Sequence, residues 1–429
     1  MNTKILSIRG FRIWDSRGRP TVEAEVTLAN GIVARGLAPA GASRGSHEAI
    51  DLRDGGSAHG GFDVMRAVDN IERLIAPALL GRDAMDQAGI DRTLIALDGS
   101  ANMARLGGNA STAVSMAVLQ AAAAAQGLPL WRHLSEGRPV RMPLPEIQIF
   151  GGGAHAGRRV DVQDFLIMPV AATSFDEALS MCAEVYRVAG KLMRERGSAG
   201  GVADEGGWWP DFDSNEAALE TLTRAIDRAG YGQGQVLISL DIAASEFGAG
   251  GRYKLGLEKR EYDTAGWIEV LSQWIARYPI VSIEDPVAED DEAGMRMFTE
   301  AFGDKVQVIG DDFLVTNAER VRHAVAGGCC NAVLLKPNQA GTITATYEAL
   351  LQAQTANWGT VVSARSGETE DTFITHLAVG WNAGQLKVGS FARSERMAKW
   401  NEGLRIERGG QGLDGFAGAA ALPVQWKGR

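Results

Sequence analysis

The sequence predicts an α/β protein in which a small N-terminal α+β domain precedes a β/α barrel. Three observations carry that prediction. The chain opens on alternating apolar and polar residues, a Pro-rich stretch near residue 138 interrupts it, and a series of short apolar runs follows, each ending on a charge.

The bulk properties set the frame. At 429 residues the chain is long enough for two domains or for one large barrel with an attachment. Hydrophobic residues make up 45% and charged residues 22%, an ordinary globular balance. The net charge of −10 excludes a general nucleic-acid binder, because no basic excess exists to neutralise phosphates. It leaves room for an anionic substrate, since a few local cations or a bound metal reverse the field in one cleft. Cys182, Cys329 and Cys330 form no C-x-x-C pair and no even framework, which points to reduced thiols packed in a cytoplasmic protein. The opening "MNTKILSIRG" has no long apolar core, and no segment has the length of a membrane span, so no membrane partner is expected.

Taken in order, "TVEAEVTL" places Val22, Ala24, Val26 and Leu28 on one face and Thr21, Glu23, Glu25 and Thr27 on the other, the period of a half-buried strand. Asn30-Gly31 supplies a tight hairpin turn before "IVARGLA". "STAVSMAVLQAAAAAQGLP" reads as a helix with Ser111 as its cap, propagated by alanines and stopped by Gly127 and Pro129. The segment "RPVRMPLPE" marks the boundary, giving domains over 1–138 and 139–429.

Beyond it, apolar runs end at Asp241 ("VLISLD"), Glu284 ("IVSIED"), Asp311 ("VQVIGDD"), Lys336 ("NAVLLK"), Arg365 ("TVVSAR") and Lys387 ("GQLK"). Helical stretches such as "TAGWIEVLSQWIARY" and "NAERVRHAVAGG" lie between them. Unbroken apolar runs suit parallel strands buried on both faces. A charge at the end of strand after strand is the pattern of a barrel whose strand ends converge on one site. A single such charge would more simply begin a solvated loop; six in succession favour a site.

Those charges suggest a chemistry. Asp241, Glu284 and Asp311 repel one another unless something neutralises them, and an all-oxygen set suits a hard divalent ion, Mg²⁺ foremost. The alternative is a salt-bridge ring with Lys336, Arg365 and Lys387. Low-dielectric surroundings and the cation of Lys387 are expected to depress the pKa of Lys336, making it a general base. A metal beside such an amine fits proton removal α to a carboxylate, with the cation holding the developing ene-diolate. Glu205, in "VADEGGWWP", is a candidate acid facing that base, and "GGGAHAGRRVDVQDF" carries His155 and Asp164. Taken alone, each of these last three reads equally well as a structural residue.

Nearly the whole chain resembles the enolase (phosphopyruvate hydratase) family. The resemblance is carried by "DSRGRPTVEAEV", "GASRGSHEA", "DEGG", "LDIAASEF", "YPIVSIED", "GDDFLVTN", "LLKPNQAGT", "SGETEDT" and "RSERMAKWNEGLRIE". It implies an enolase-type modified (β/α)8 barrel with an N-terminal capping domain, a homodimer or higher homo-oligomer, and magnesium-dependent interconversion of 2-phosphoglycerate and phosphoenolpyruvate. By position, Asp241, Glu284 and Asp311 resemble ligands of the first magnesium, and Ser43, on a closing loop, contributes to a second. Lys336 resembles the base, with Lys387 beside it to meet the substrate carboxylate. Glu205 resembles the general acid, supported by Asp164. Arg365 and Ser366 match the phosphate-binding pair, and His155 a substrate-side histidine.

Departures cluster on the substrate-facing loops. "SARSGE" has Ala364 where the family has a histidine, and "PAGASRG" has Ala40 and Arg44 for a serine and a threonine. "GGGAHAGRR" has Ala154 for a glutamate and Arg158-Arg159 for two asparagines. Asp164 stands where glutamate is usual, and Phe11 replaces an arginine near the subunit contact. Volume lost at three positions and positive charge gained at three are expected to suit a larger or more anionic phosphorus-bearing substrate. Three functions follow: an enolase, an enolase paralogue of the carboxyphosphonoenolpyruvate-forming type, and a catalytically silent binding protein. The intact acids and lysines argue against the last, because a scaffold gains nothing from a costly cluster of like charges.

Overall fold

The computed structural model describes residues 2–198 and 200–426. Strands β1 (Ile5–Trp14), β2 (Pro20–Leu28) and β3 (Val33–Leu37) form an antiparallel meander. The alternation predicted for β2 is observed, with Val22, Ala24, Val26 and Leu28 fully buried. The hairpin turn also forms: Gly31, at φ +87°, donates its amide to the Leu28 carbonyl at 2.9 Å. The buried face rests on the helix Gly108–Ala125. Gly36 marks the closest approach, since a Cβ there would stand 2.2 Å from the Ala113 carbonyl oxygen.

That helix begins earlier than the sequence suggested. Gly107, at φ +96°, precedes its first turn, and Ser111 is not the cap. The Ser111 hydroxyl lies inside the helix and donates to the carbonyls of Gly108 and Gly341, at 3.2 and 2.8 Å. It therefore ties the small domain to the barrel. The positive φ at Gly107 explains the difference, because a side chain there would be strained. Gly127, at φ +68°, follows the other end as expected.

The second part is a closed barrel of eight strands: β4 (Leu144–Gly151), β5 (Asp164–Met168), β6 (Leu237–Asp241), β7 (Ile280–Glu284), β8 (Gln307–Gly310), β9 (Ala332–Leu335), β10 (Gly359–Ser363) and β11 (Gly384–Gly389). Nearly all their residues are buried, as strands covered on both faces require. Adjacent strands run parallel, except that β5 is antiparallel to both β4 and β6. Two strands joined by a hairpin need no crossover helix, so residues 152–163 remain at one rim. The inversion brings Asp164, the first residue of β5, level with Asp241, the last residue of β6.

The helices predicted between the strands appear at Thr264–Arg277 and Ala318–Gly327. Asp263 caps the first by accepting from the Gly266 amide, and Asn317 caps the second through the Glu319 and Arg320 amides. Cys182, Cys329 and Cys330 are buried free thiols. No helix of the described residues is long and apolar enough to cross a membrane.

Candidate active site

The charged strand ends converge. Asp241 and Glu284 are the last residues of β6 and β7, Asp311 and Lys336 directly follow β8 and β9, and Arg365 lies two positions beyond β10. Lys387 differs from its expected place, since it lies within β11, opposite Ser363 of β10. A cavity of about 20 Å³ is lined by Ser43, His155, Asp164, Glu205, Asp241, Lys336, Arg365, Ser366 and Lys387, among others. The other two predicted residues lie directly behind it: Glu284 accepts from Lys387 and Asp311 from Lys336.

Two lysines divide the acids between them. The Lys387 Nζ donates to Asp241 Oδ2 at 3.0 Å and Glu284 Oε2 at 2.7 Å, and stands 3.9 Å from Asp164 Oδ2. Burial disfavours its charge, but Asp241 and Glu284 outweigh burial and raise its pKa well above that of a free lysine. Lys336 donates to Asp311 Oδ2 at 2.5 Å. Here too burial works downward, the Asp311 carboxylate outweighs it, and the pKa is raised. The expected depression of Lys336 is therefore reversed. The contact with Asp311, which no reading of "NAVLLK" alone reveals, dominates over burial and over the cations of Arg365 and Lys387.

The acids are not equivalent. Glu284 is pushed well above the usual carboxylate range by burial and by the charge of Asp241. Its Oε1 is buried with no hydrogen-bond partner. Asp311 instead groups with Asp285 and Asp312, with ligand oxygens within 4.8 Å of one another. Asp285 accepts the amides of Asp311 and Asp312 at 3.0 and 2.7 Å, and burial followed by the charge of Asp311 moves its pKa up to about 8. A buried all-carboxylate set with an unpartnered oxygen matches the donor chemistry of a hard divalent cation. Among the described residues, the acidic groups whose ligand atoms cluster closely enough for a metal are Asp285, Asp311 and Asp312, and His155, Asp164 and Glu205. Of the three expected ligands Asp241, Glu284 and Asp311, only Asp311 belongs to one of them.

Across the cavity, His155 Nδ1 contacts Asp164 Oδ1 at 2.9 Å, and its Nε2 faces Ser366 Oγ at 3.0 Å and Glu205 Oε1 at 3.8 Å. Burial lowers the His155 pKa, but Asp164 and Glu205 more than compensate and raise it to about 9, so the imidazolium is the form present at neutral pH. Gln148 also donates to Asp164 and accepts the Gly207 amide at 2.8 Å, which fixes the "DEGG" turn carrying Glu205.

The small domain closes the top. Ala40 bridges Gly367, the Ala42 amide donates to Ser366 Oγ at 3.1 Å, and Arg365 donates to the Ser43 carbonyl at 3.1 Å. Arg365 also forks onto Glu48 at 3.0 and 3.2 Å, and Glu48 raises its already high pKa against the effect of burial.

Sequence reasoning missed several members of this site. Glu48 lies in "GASRGSHEA" and Gln339 in "LLKPNQAGT", where it donates to Asp311 Oδ1 at 2.8 Å. Arg396, in "RSERMAKW", is fully buried and donates to the carbonyls of Arg365, Ser366 and Val388. Each falls inside a stretch that carried the resemblance, and only the folded contact gives it a task.

The substituted loop positions separate into two groups. Ala364 lines the cavity. Arg44, Arg158 and Arg159 do not; they form outward ion pairs with Asp51, Glu246 and Asp211. The expectation that these three arginines recharge the pocket is corrected: nearby surface acids take their guanidinium groups.

With the fold and the site described, comparison with known families is specific. Residues 5–134 match the enolase N-terminal domain and residues 139–422 the enolase C-terminal TIM barrel domain. Two matches in chain order, spanning nearly the entire sequence, show that this chain belongs to the enolase family.

Proposed function

We propose that the protein is a magnesium-dependent lyase that interconverts 2-phosphoglycerate and phosphoenolpyruvate by moving a proton α to a carboxylate. One observation carries the reading: a buried lysine, Lys336, and a carboxylate, Glu205, line a single cavity together with Arg365, Ser366 and Lys387. A base, an acid and a set of anion-binding groups are what elimination of water from a phosphorylated hydroxy acid requires.

In this reading Asp241, Glu284 and Asp311 would hold Mg²⁺, which when bound would supply charge neutralisation and a Lewis acid for the substrate carboxylate, and Ser43 would contribute to a second ion. Lys336 takes the α-proton at its Nζ as the neutral amine. That requires it first to give up its own proton to solvent and to leave the Asp311 carboxylate that raises its pKa. Lys387 orients the carboxylate. Glu205 delivers a proton to the departing hydroxyl. His155, fixed by Asp164, presents its Nε2 hydrogen to the substrate side. Arg365 and Ser366 bind the phosphate, which requires Arg365 to exchange its contacts with the covering segment. The same proposal takes 1–138 as cap and 139–429 as catalytic barrel, in a cytoplasmic homodimer or higher homo-oligomer.

A second reading, a paralogue acting on a larger phosphorus-containing substrate, draws support from Ala364 at the cavity wall and none from the three arginines. The test is ultraviolet detection of phosphoenolpyruvate from 2-phosphoglycerate and Mg²⁺. Turnover that falls by roughly 10²- to 10⁴-fold in Lys336→Ala is the expected result. No turnover by a protein that binds magnesium would move the assignment to the paralogue.

A further inference from the structure

We propose that Glu289, outside the catalytic cavity, is a positioning residue that latches the covering segment 41–48 over the site. The segment has two sets of contacts. Its inner face meets Arg365 and Ser366, through the Ser43 carbonyl, the Ala42 amide and Glu48. Its outer face carries the Arg44–Asp51 ion pair at 2.9 Å within the small domain and an anchor to the barrel: the Ser46 amide donates to Glu289, at 3.0 Å to Oε2 and 3.3 Å to Oε1.

The anchor is well placed for this task. Glu289 belongs to the loop after β7, and its own amide donates to Ser245 Oγ at 2.8 Å, so its backbone is fixed to the turn after β6. Among the described residues no cation lies within ion-pair distance of its carboxylate, which leaves the Ser46 amide as its contact with the segment. Arg320, a basic group on which Glu289 acts electrostatically, donates its guanidinium to the Phe313 carbonyl at 2.9 and 2.7 Å. Next to Ser46, Gly45 lies so close to the barrel that a Cβ would stand 2.5 Å from Val315 Cγ1. The latch faces an open groove of about 690 Å³ lined by Glu289, His47, Phe313, Arg320 and His323. Water therefore reaches it from outside, with the catalytic groups undisturbed.

This inference rests on the proposed function in one respect. If Arg365 and Ser366 hold the substrate phosphate, the inner contacts are exchanged in every turnover. The contact at Glu289 is then a link to the barrel that persists while they change, and it sets how readily the segment lifts.

The experiment uses the full-length protein without ligand. Hydrogen exchange of segment 41–48 is followed by mass spectrometry, alongside tryptic cleavage after Arg44. Glu289→Ala is expected to raise both about tenfold, since the rates follow the local opening equilibrium. Glu289→Gln, which retains a neutral acceptor, should fall between Ala and wild type. Barrel strands should exchange as in wild type. Unchanged exchange in the segment would overturn the latch, as would a rise spread equally over the barrel. Neither readout needs turnover, so both stand even if 2-phosphoglycerate is not the substrate. If it is, Glu289→Ala should raise KM more than it lowers kcat; the reverse split would also overturn the proposal.

Discussion

Arg158 and Arg159 show how far a single residue can be read from its neighbours in sequence. Two cations beside His155 suggest a pocket refitted for more negative charge. In the fold they extend outward, Arg158 to Glu246 and Arg159 to Asp211 at 3.0 Å, on partly exposed side chains. Exposed pairs of this kind contribute about 0–1 kcal/mol. Replacing both by asparagine is therefore expected to change turnover by less than about twofold and stability by no more than about 1 kcal/mol. Steady-state kinetics and urea denaturation check it; a tenfold change in KM would return these arginines to the substrate side. Lys336 teaches the opposite lesson. Its burial was legible in "NAVLLK", because four apolar residues leave no solvated route for the amine. Its raised pKa was not, because Asp311 approaches from another strand.

At the scale of elements, periodicity revealed what was local and missed what depended on contact. The inward face of β2 followed from alternation alone, and the capped helices Thr264–Arg277 and Ala318–Gly327 from their flanking residues. The start of the helix Gly108–Ala125 did not, because a glycine at positive φ competed with a serine for the same boundary. The inverted strand β5 also escaped notice, since "DFLIM" is as apolar as any parallel strand and carries no sign of its direction. Glu48 stayed hidden because its partner Arg365 lies far away in the chain, and Arg396 because the groups it donates to are backbone carbonyls, which no side-chain pattern reveals. Close approach between elements gives a sharp prediction at Gly36. A methyl group there meets the Ala113 carbonyl oxygen at 2.2 Å and the Ala117 nitrogen at 2.5 Å, and neither is free to swing aside. Gly36→Ala should cost about 1–3 kcal/mol or more, as overpacking does. A urea midpoint equal to wild type would show that β3 can lift from the helix without loss.

For the whole molecule, the question is what balances so much buried charge. In this arrangement the lysines do it: Lys387 bridges Asp241 and Glu284, and Lys336 holds Asp311. A divalent cation that binds the same acids in the folded state stabilises that state by about 2.7 kcal/mol at a hundred times its Kd. Millimolar Mg²⁺ is therefore expected to raise Tm, and Asp241→Asn or Glu284→Gln to abolish most of the rise. Scanning calorimetry with and without chelator decides. A Tm indifferent to magnesium would leave the acids as members of a salt-bridge ring.

The reversed course of β5 has a consequence for how such a barrel can change. Where every strand ascends, each side chain at the rim belongs to its own crossover, and altering one sector disturbs a helix on the outer ring. Here an ascending and a descending strand share a single short connection, and Asp164, His155 and the arginines beside it all travel on that contiguous piece. This corner can be rewritten as one cassette while the surrounding helices keep their places.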